Sequence, residues 1–215
     1  MSIHALVNFK KIDDIVKKVS NKVNIIAITK TFPLEIINPL IDYGHLDYGE
    51  NRVKEAISKW SDLLKKKNDL KIHMVGNLQT NKAKDAVSIF SYIHSLDSEK
   101  LANILSKEEK AINKKIKYFI QVNFDNEKQK SGISVDLLDD FVKFTKNDLT
   151  LDVVGLMCIP PVNSNPGSYF SVLKKMADKN KLSELSMGMS NDYKEAIDHG
   201  ATFIRIGSSI FGQRI

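Results

Sequence analysis

Residues 23–29, which read VNIIAIT, are the stretch on which the fold prediction rests. The stretch is nearly all apolar and rich in β-branched residues, a composition typical of a strand that is buried on both faces of a parallel sheet. On either side of it the pattern changes to longer amphipathic segments, at residues 5–20 and 33–41. Pro33 is well placed for a first helical turn. The pattern therefore predicts that the chain begins as helix, strand and helix.

Short apolar runs continue to alternate with amphipathic segments along the chain. It predicts eight strands, at residues 23–29, 45–49, 72–76, 92–96, 118–123, 151–158, 184–187 and 203–206. Between them we predict helices at residues 33–41, 52–66, 81–88, 98–113, 135–145, 169–177 and 190–199. Ser98 and Ser190 are predicted N-caps, and Gly200 is the predicted stop of the last helix.

Strands that alternate with helices pair in parallel through right-handed crossovers, and eight such units favour a closed barrel over an open sheet. We therefore predict one α/β domain over residues 1–215, a single (β/α)8 TIM-type barrel with an extra N-terminal helix. An open doubly wound sheet is the alternative. No G-x-G-x-x-G pattern follows the first strand, which counts against a dinucleotide site there.

The composition is that of an ordinary globular protein. Of 215 residues, 42% are hydrophobic and 27% are charged, and 32 Lys plus Arg against 26 Asp plus Glu give a net charge of +6. A single cysteine, Cys158, excludes an internal disulfide framework and a multi-cysteine metal site, so we expect no metal. No apolar run approaches the roughly 20 residues that span a bilayer, and residues 1–22 lack the apolar core of a signal peptide. We expect a soluble, cytoplasmic protein with no membrane partner.

The positive charge does not by itself indicate nucleic acid as a partner. The lysine pairs and triplets are spread over the polar faces of predicted helices, and no arginine-rich block or alternating aromatic and basic pattern occurs. Charge distributed in this way mostly serves solubility. We therefore expect no nucleic-acid partner.

In a barrel of this kind the working face consists of the loops that follow the carboxyl ends of the strands. Lys30 ends the first, apolar strand, so its side chain starts in a region of low dielectric. Desolvation lowers the pKa of a lysine and makes its neutral amine a nucleophile toward aldehydes. The alternative is a lysine that extends its ammonium group into solvent at the end of a strand.

Two loops near the end of the chain have the composition of a phosphate site. The sequence GMS at residues 188–190 precedes a predicted helix, whose free N–H groups favour an anion. The sequence GSS at residues 207–209 follows the last strand and adds N–H groups and hydroxyls. Phosphate sites built from the loops after strands seven and eight recur in this barrel. The alternative is that these residues only make turns and caps.

Arg205 lies two residues before Gly207 in the last strand, and alternation places both on the same side. A permanently charged donor inside a barrel mouth needs an acceptor, either on a ligand or in a buried ion pair with Asp47 or another acid. A lysine that can form an imine, a phosphate cradle and an inward arginine together indicate an aldehyde that carries a phosphate. Pyridoxal 5′-phosphate (PLP) fits this description. A phosphosugar aldolase would share the lysine and the cradle, and spacing does not choose between the two.

Separated motifs in the order of one known family run from about residue 23 to the C-terminus. The sequence resembles the YggS/PROSC family of pyridoxal 5′-phosphate homeostasis proteins on all of them. They are residues 27–33 (AITKTFP), 48–56 (YGENRVKEA), 72–82 (IHMVGNLQTNK), 122–123 (VN), 130–132 (KSG), 155–157 (GLM), 185–192 (LSMGMSND), 204–207 (IRIG) and 211–212 (FG).

This resemblance implies a single barrel similar to the N-terminal domain of bacterial alanine racemase, with PLP as its cofactor. The lysine that matches Lys30 carries the cofactor as an internal aldimine, and Arg205 matches the arginine that faces the pyridine nitrogen. Ser208 stands where the family often has threonine, so the hydroxyl is kept. The remaining cofactor-binding positions that the resemblance implies are Asn51 and His73 on the pocket wall, and Met189, Ser190, Gly207 and Ser208 around the phosphate.

We predict a PLP-binding protein of intracellular PLP homeostasis without strong catalytic activity and with no catalytic residues. A cationic arginine at the pyridine nitrogen disfavours protonation there, so the ring is a poor electron sink. Two-base racemisation also needs a second acid–base group. In alanine racemase that group comes from the partner's C-terminal domain. Because the sequence ends at Ile215, soon after the last strand, we expect no such domain.

Two other functions remain as alternatives: a weak PLP-dependent amino-acid racemase or lyase, and a nucleic-acid or protein scaffold with a vestigial site. The expected partners are PLP, other B6 vitamers and PLP-dependent apoenzymes. No long apolar stripe indicates a large obligate interface, so we expect a monomer.

Overall fold

The computed structural model of the protein describes residues 2–124 and 131–212. In this part of the chain, eight parallel strands form a barrel, with a two-residue strand, β6, added at the end of β5. The strands are β1 (Asn24–Ile28), β2 (Asp47–Glu50), β3 (Lys71–Met74), β4 (Tyr92–Leu96), β5 (Lys117–Asn123), β6 (Ile133–Ser134), β7 (Asp152–Met157), β8 (Glu184–Met189) and β9 (Phe203–Ile206).

Two strand pairings close the barrel. β1 pairs with β9, where Ile26 lies opposite Arg205, and β4 pairs with β5, where Tyr92 lies opposite Lys117. Because the sheet order runs from β4 through β1 and β9 to β5, the second pairing joins the two ends of the sheet. The predicted closed barrel is confirmed and the open doubly wound sheet is wrong.

Helices follow the strands and surround the barrel. They are α1 (Ser2–Val19), α2 (Leu34–Asp42), α3 (Val53–Lys66), α4 (Ala83–Ile89), α5 (Glu99–Ile112), α6 (Leu138–Lys143), α7 (Pro166–Lys179), α8 (Tyr193–Asp198) and α9 (Ser208–Phe211). A 3₁₀ turn at Thr80–Lys82 precedes α4, and α6 lies between a 3₁₀ turn (Val135–Leu137) and a π-helical turn (Phe144–Asp148). Across residues 2–124 and 131–212, no helix is both long and apolar enough to cross a membrane.

Some helix ends follow from local capping chemistry. The predicted cap Ser98 is confirmed, since its hydroxyl accepts from the Leu101 N–H over 3.3 Å. The predicted stop Gly200 is also confirmed, with a φ of +89° that favours glycine. α7 begins earlier than predicted, at Pro166, because Asn165 Oδ1 accepts from Gly167 N over 3.1 Å. α9 was not predicted, since its four residues are too short to show a period.

The core has two layers, as strand alternation requires. Residues such as Ala27 point outward and join the large apolar cluster between the strands and the helices. Their neighbours on the same strands point inward and form a small cluster inside the barrel. This inner cluster consists of Ile26, Ile28, Phe119, Met157 and Phe203.

Candidate functional site

Lys30 continues the row of β1 residues that point into the barrel. Ile26 and Ile28 belong to the inner cluster, and two-residue alternation extends that row to Lys30, just past the carboxyl end of β1. Lys30 is partly buried. The next residue, Thr31, has a φ of +68°, so the chain turns sharply away from the strand there. The structure therefore places the predicted lysine at the mouth formed by the carboxyl ends of the strands.

The residue before Lys30 is held by a buried polar cluster that the sequence analysis did not identify. Thr29 Oγ1 donates to Glu50 Oε1 over 2.7 Å, and the Thr29 carbonyl oxygen accepts from Lys59 Nζ over 2.7 Å. Glu50 Oε1 also accepts from Lys59 Nζ over 2.8 Å and from Trp60 Nε1 over 3.0 Å. The Glu50 side chain is fully buried and that of Lys59 is only 13% exposed. These bonds fix the backbone from which Lys30 projects.

The loops after β8 and β9 contact each other at the same mouth. Ser209 N donates to Ser190 Oγ over 3.3 Å, which joins the two loops that the sequence analysis singled out. Ser208 begins α9 and is exposed, and Met189 is 39% exposed at the end of β8.

The prediction that Ser190 caps the following helix is wrong. α8 begins three residues later than predicted, at Tyr193, and its N-cap residue is Asp192. Asp192 Oδ1 accepts from Met189 N over 2.6 Å, which folds the intervening residues into a turn. Ser190 is therefore not committed to α8, and its hydroxyl stays at the loop–loop contact.

Two glycines allow the backbone to pass closely at this mouth. Gly188 has a φ of +88°, and a Cβ built on it would lie 2.5 Å from Ala196 Cβ. A Cβ on Gly207 would lie 3.4 Å from Ile28 Cβ, in van der Waals contact, so the ends of β1 and β9 lie side by side. This approach places the loop after β9 beside the segment that carries Lys30.

Arg205 is fully enclosed within the barrel, on the strand next to β1. Its Nη1 donates to the Ser186 carbonyl oxygen (2.7 Å) and to Ser186 Oγ (2.8 Å), and its Nη2 donates to the Cys158 carbonyl oxygen (2.9 Å). Burial lowers the pKa of Arg205, and the Cys158 and Asp192 charges oppose this effect. All three of these acceptors are neutral oxygens. The described contacts of Arg205 therefore do not include the ion pair with Asp47, which was one alternative from the sequence.

Asn51 and His73 occupy different depths. Asn51 is partly buried just past β2, and a Cβ on Gly76 would lie 2.5 Å from its carbonyl oxygen, so the ends of β2 and β3 pack together. His73 is fully buried in the middle of the barrel and stacks on Tyr92 with ring centroids 4.4 Å apart. Both of its ring nitrogens have protein partners, as described below. The structure thus brings Asn51, but not the His73 ring nitrogens, to the mouth.

A row of polar side chains crosses the barrel interior below Arg205. His94 Nδ1 lies 2.8 Å from Ser186 Oγ, and His94 Nε2 lies 3.0 Å from His73 Nδ1. His73 Nε2 lies 3.0 Å from Asp47 Oδ1. Asp47 and His73 are among the residues considered from the sequence, whereas His94 and Ser186 are not. The alternation of side chains along each strand predicts that these residues point into the barrel. Which of them contact each other depends on how the closed barrel arranges the strands.

The opposite end of the barrel holds a cavity of about 350 Å³. It is lined by the starts of the strands, among them Tyr92, Lys117, Asp152 and Glu184. It lies away from Lys30 and the two serine loops and is not the candidate site. Over the residues that the structure describes, no group of three or more His, Cys, Asp or Glu side chains is arranged to hold a metal ion.

The chain resembles proteins of known name over nearly its whole length. A family model for the alanine racemase N-terminal domain matches residues 7–215. The pyridoxal phosphate homeostasis protein of Aquifex aeolicus is 37% identical over 203 residues, which are 90% of this chain and 88% of that protein. The protein of the same name from Escherichia coli K12 is 33% identical over 202 residues, 90% of this chain and 86% of that protein.

The chain is also similar to solved structures of PLP-binding proteins. PipY of Synechococcus elongatus, in its structure with PLP bound, is 31% identical with a TM-score of 0.85, covering 94% of this chain and 99% of that chain. Alanine racemase of Bartonella henselae, with covalently bound pyridoxal phosphate, is 13% identical with a TM-score of 0.77, covering 99% of this chain and 59% of that chain. At that identity the second similarity concerns the fold alone, and it confirms the predicted barrel type.

Proposed function

This chain belongs to the family of the pyridoxal phosphate homeostasis proteins, and from that premise we propose that it binds PLP through Lys30 and takes part in PLP homeostasis in the cytoplasm. One observation carries the proposal. The pairing of β1 with β9 and the contact between Ser190 and Ser209 bring a lysine, an arginine and two serine-rich loops together at one end of the barrel. PLP offers one matching group for each of them: an aldehyde, a ring nitrogen and a phosphate.

When bound, PLP supplies an aldehyde that condenses reversibly with an amine. Lys30 supplies that amine from a backbone that the Thr29–Glu50–Lys59 cluster holds in place. A fixed backbone limits the positions that the amine samples, and so lowers the entropy cost of binding.

The two serine loops fit a phosphate in their hydrogen-bonding capacity. Ser190 Oγ accepts from Ser209 N, and a hydroxyl that accepts one bond can still donate its own proton. Ser208 adds a second exposed hydroxyl. Gly207 has no side chain, so its backbone can approach a ligand closely. Hydroxyl and N–H donors of this kind bind anionic oxygens strongly.

We propose that Arg205 meets the ring nitrogen of PLP. A guanidinium has five N–H donors, and the described bonds of Arg205 to Ser186 and Cys158 are three. A permanent cation there accepts no proton and disfavours a proton on the ring nitrogen. The bound ring is then a weak electron sink, which supports retention of the cofactor over catalysis on amino acids.

We propose that the protein is a carrier with weak catalysis at most, and a turnover assay tests this. With PLP loaded, L- and D-amino acids should show no sustained racemisation or lyase activity at ordinary enzymatic rates. Repeated turnover at such rates would instead favour the racemase or lyase alternative.

We also propose that the cofactor passes from this mouth to PLP-dependent apoenzymes. Support comes from exposed apolar side chains in the loops around the mouth, where Ile159 is 52%, Val162 90% and Met189 39% exposed. The PLP-loaded protein should activate an added apoenzyme faster than release of PLP into a trapping buffer allows. If the apoenzyme is activated no faster than PLP is released into the buffer, the protein only stores PLP and does not transfer it directly. Sedimentation of the same loaded protein tests the predicted monomer.

Ser190→Ala should weaken PLP retention by about 1–2 kcal/mol, or roughly 5- to 30-fold in Kd, because it removes one hydrogen bond to a charged acceptor. Equilibrium dialysis of PLP against the purified variant measures this effect. Ser164→Ala is a matched control, since Ser164 lies in the loop after β7 and its hydroxyl donates to the Pro161 carbonyl oxygen over 2.7 Å. Equal affinity in the Ser190 and Ser164 variants would place the phosphate elsewhere.

A further inference from the structure

The hydrogen bonds inside the barrel form one unbroken chain that ends at Arg205. From the far end, it runs from Asp47 through His73, His94 and Ser186 to the guanidinium, with every link between 2.8 and 3.0 Å. Its members lie on β2, β3, β4, β8 and β9. The chain therefore spans the barrel interior from wall to wall.

The chain can be ordered from the Asp47 end. Partial burial acts to raise the pKa of Asp47, but the hydrogen bond from His73 and the charge of Lys71 outweigh it and lower the pKa, so Asp47 is ionised and accepts. His73 Nε2 must therefore carry a proton. Burial lowers the pKa of His73, and its bond to Asp47 opposes that effect only in part. With His73 neutral, its Nδ1 has no proton and must accept.

The remaining links then follow in turn. His94 Nε2 must donate to His73 Nδ1. Burial holds the pKa of His94 well below its usual range, and the positive charge of Arg205 adds to this effect. A neutral His94 has an Nδ1 that accepts, so the Ser186 hydroxyl donates to it. That orientation turns a lone pair of Ser186 Oγ toward Arg205, which is the group that donates to it.

We propose that Asp47, His73, His94 and Ser186 are positioning residues, which form a one-directional hydrogen-bond chain that holds Arg205 at the ring end of the cofactor. The role of Arg205 in this inference rests on the proposed function. The directions of the hydrogen bonds do not, because they involve only groups of the protein itself. Each donor–acceptor choice is fixed by the one before it, so the hydrogen bonds all run in one direction, from the guanidinium of Arg205, which can only donate, to the carboxylate of Asp47, which accepts. Hydrogen bonds in such a chain strengthen one another in a region of low dielectric.

Nitrogen NMR of the protein without added cofactor tests the order of the chain. The sequence has five histidines, and His73→Gln and His94→Gln variants assign their two signal sets. At neutral pH both His73 and His94 should show a protonated Nε2 and an unprotonated Nδ1. A protonated Nδ1 on either ring, or a charged imidazolium, would overturn the proposal.

A second variant tests whether the chain transmits a change. Asp47→Asn should shift the ring nitrogen signals of His94, which lies two links away, and raise the rate of PLP release about 3- to 10-fold in the loaded protein. Asp152→Asn is the matched control, because Asp152 lies at the start of β7 and lines the cavity at the same end of the barrel. Unchanged His94 signals in Asp47→Asn would refute the coupling.

A buried serine outside the chain separates positioning from general damage to the fold. Ser186→Ala should speed PLP release several-fold, since it removes one acceptor from Arg205. Ser95→Ala also deletes a fully buried hydroxyl, one that donates to the Gly76 carbonyl oxygen over 2.7 Å, and should leave release unchanged. Equal rates in these two variants would contradict the proposal. If the wild-type protein binds no PLP, the proposed function fails. The tautomers of His73 and His94 still test the directions of the hydrogen bonds, because that measurement needs no cofactor.

Discussion

Lys30→Ala should give a folded barrel that no longer fixes PLP covalently. The lysine lies past the end of β1 and is only partly buried, so its removal leaves the inner cluster and the strand pairings in place. Its amine is the group that the proposal assigns to the aldehyde, and alanine offers no nucleophile. The visible absorbance of the bound cofactor should disappear, and borohydride should add no mass to the protein.

The matched control for this variant is Lys54→Ala. Lys54 is exposed in the first turn of α3 and follows the carboxyl end of β2, at the same end of the barrel as Lys30. This variant should keep the full visible band. If Lys30→Ala keeps the band as well, another lysine binds the cofactor. Thermal unfolding of both variants confirms that the comparison is between folded proteins.

Lys59→Met should lower the free energy of unfolding by about 3–5 kcal/mol, the usual cost of removing one partner of a buried ion pair. The Glu50 carboxylate is fully buried, and its Oε2 is a buried side-chain atom without a partner among the described residues. Removing the lysine leaves that charge uncompensated and frees the Thr29 carbonyl oxygen as well. Methionine keeps the apolar stem, so the loss reflects the charge. Chemical denaturation with urea measures it.

A second pair on the same helix provides the comparison. Lys65 Nζ lies 2.8 Å from Asp62 Oδ1, the same distance as Lys59 Nζ from Glu50 Oε1, but its two side chains are 75% and 91% exposed. Lys65→Met should leave stability unchanged within error, because exposed ion pairs contribute little. Adding Glu50→Gln to Lys59→Met should recover part of the loss, since it removes the buried charge. A loss below about 1 kcal/mol for Lys59→Met would show that water reaches Glu50.

The barrel could be predicted from sequence because its signals are local. Runs such as residues 92–96 and 203–206 are short, rich in aromatic and aliphatic residues and bounded by turn residues, and β4 and β9 have the predicted bounds. The ends of helices are less certain, because they depend on which side chain takes the capping role. α8 begins after Asp192 instead of Ser190, and the Asp192 side chain accepts from Met189 N in the preceding turn, a contact that the local pattern does not predict.

Site residues could be predicted where their position depends on a single strand. Lys30 and Arg205 occupy positions set by the alternation of their own strands, and the hydrogen bonds of Arg205 show that its side chain lies inside the barrel. Contacts across strands were not predictable in the same way. Ser186 and His94 meet only because β4 and β8 face each other across the closed barrel, 92 residues apart in the chain. The cluster of Thr29, Glu50 and Lys59 likewise forms only when α3 packs over β1 and β2.

Peptide mapping after borohydride reduction of the PLP-loaded wild-type protein is the decisive measurement. We expect one phosphopyridoxyl group per chain, on the peptide that contains Lys30. A group fixed on a different lysine, or no fixed group at all, would contradict a PLP site at the end of β1.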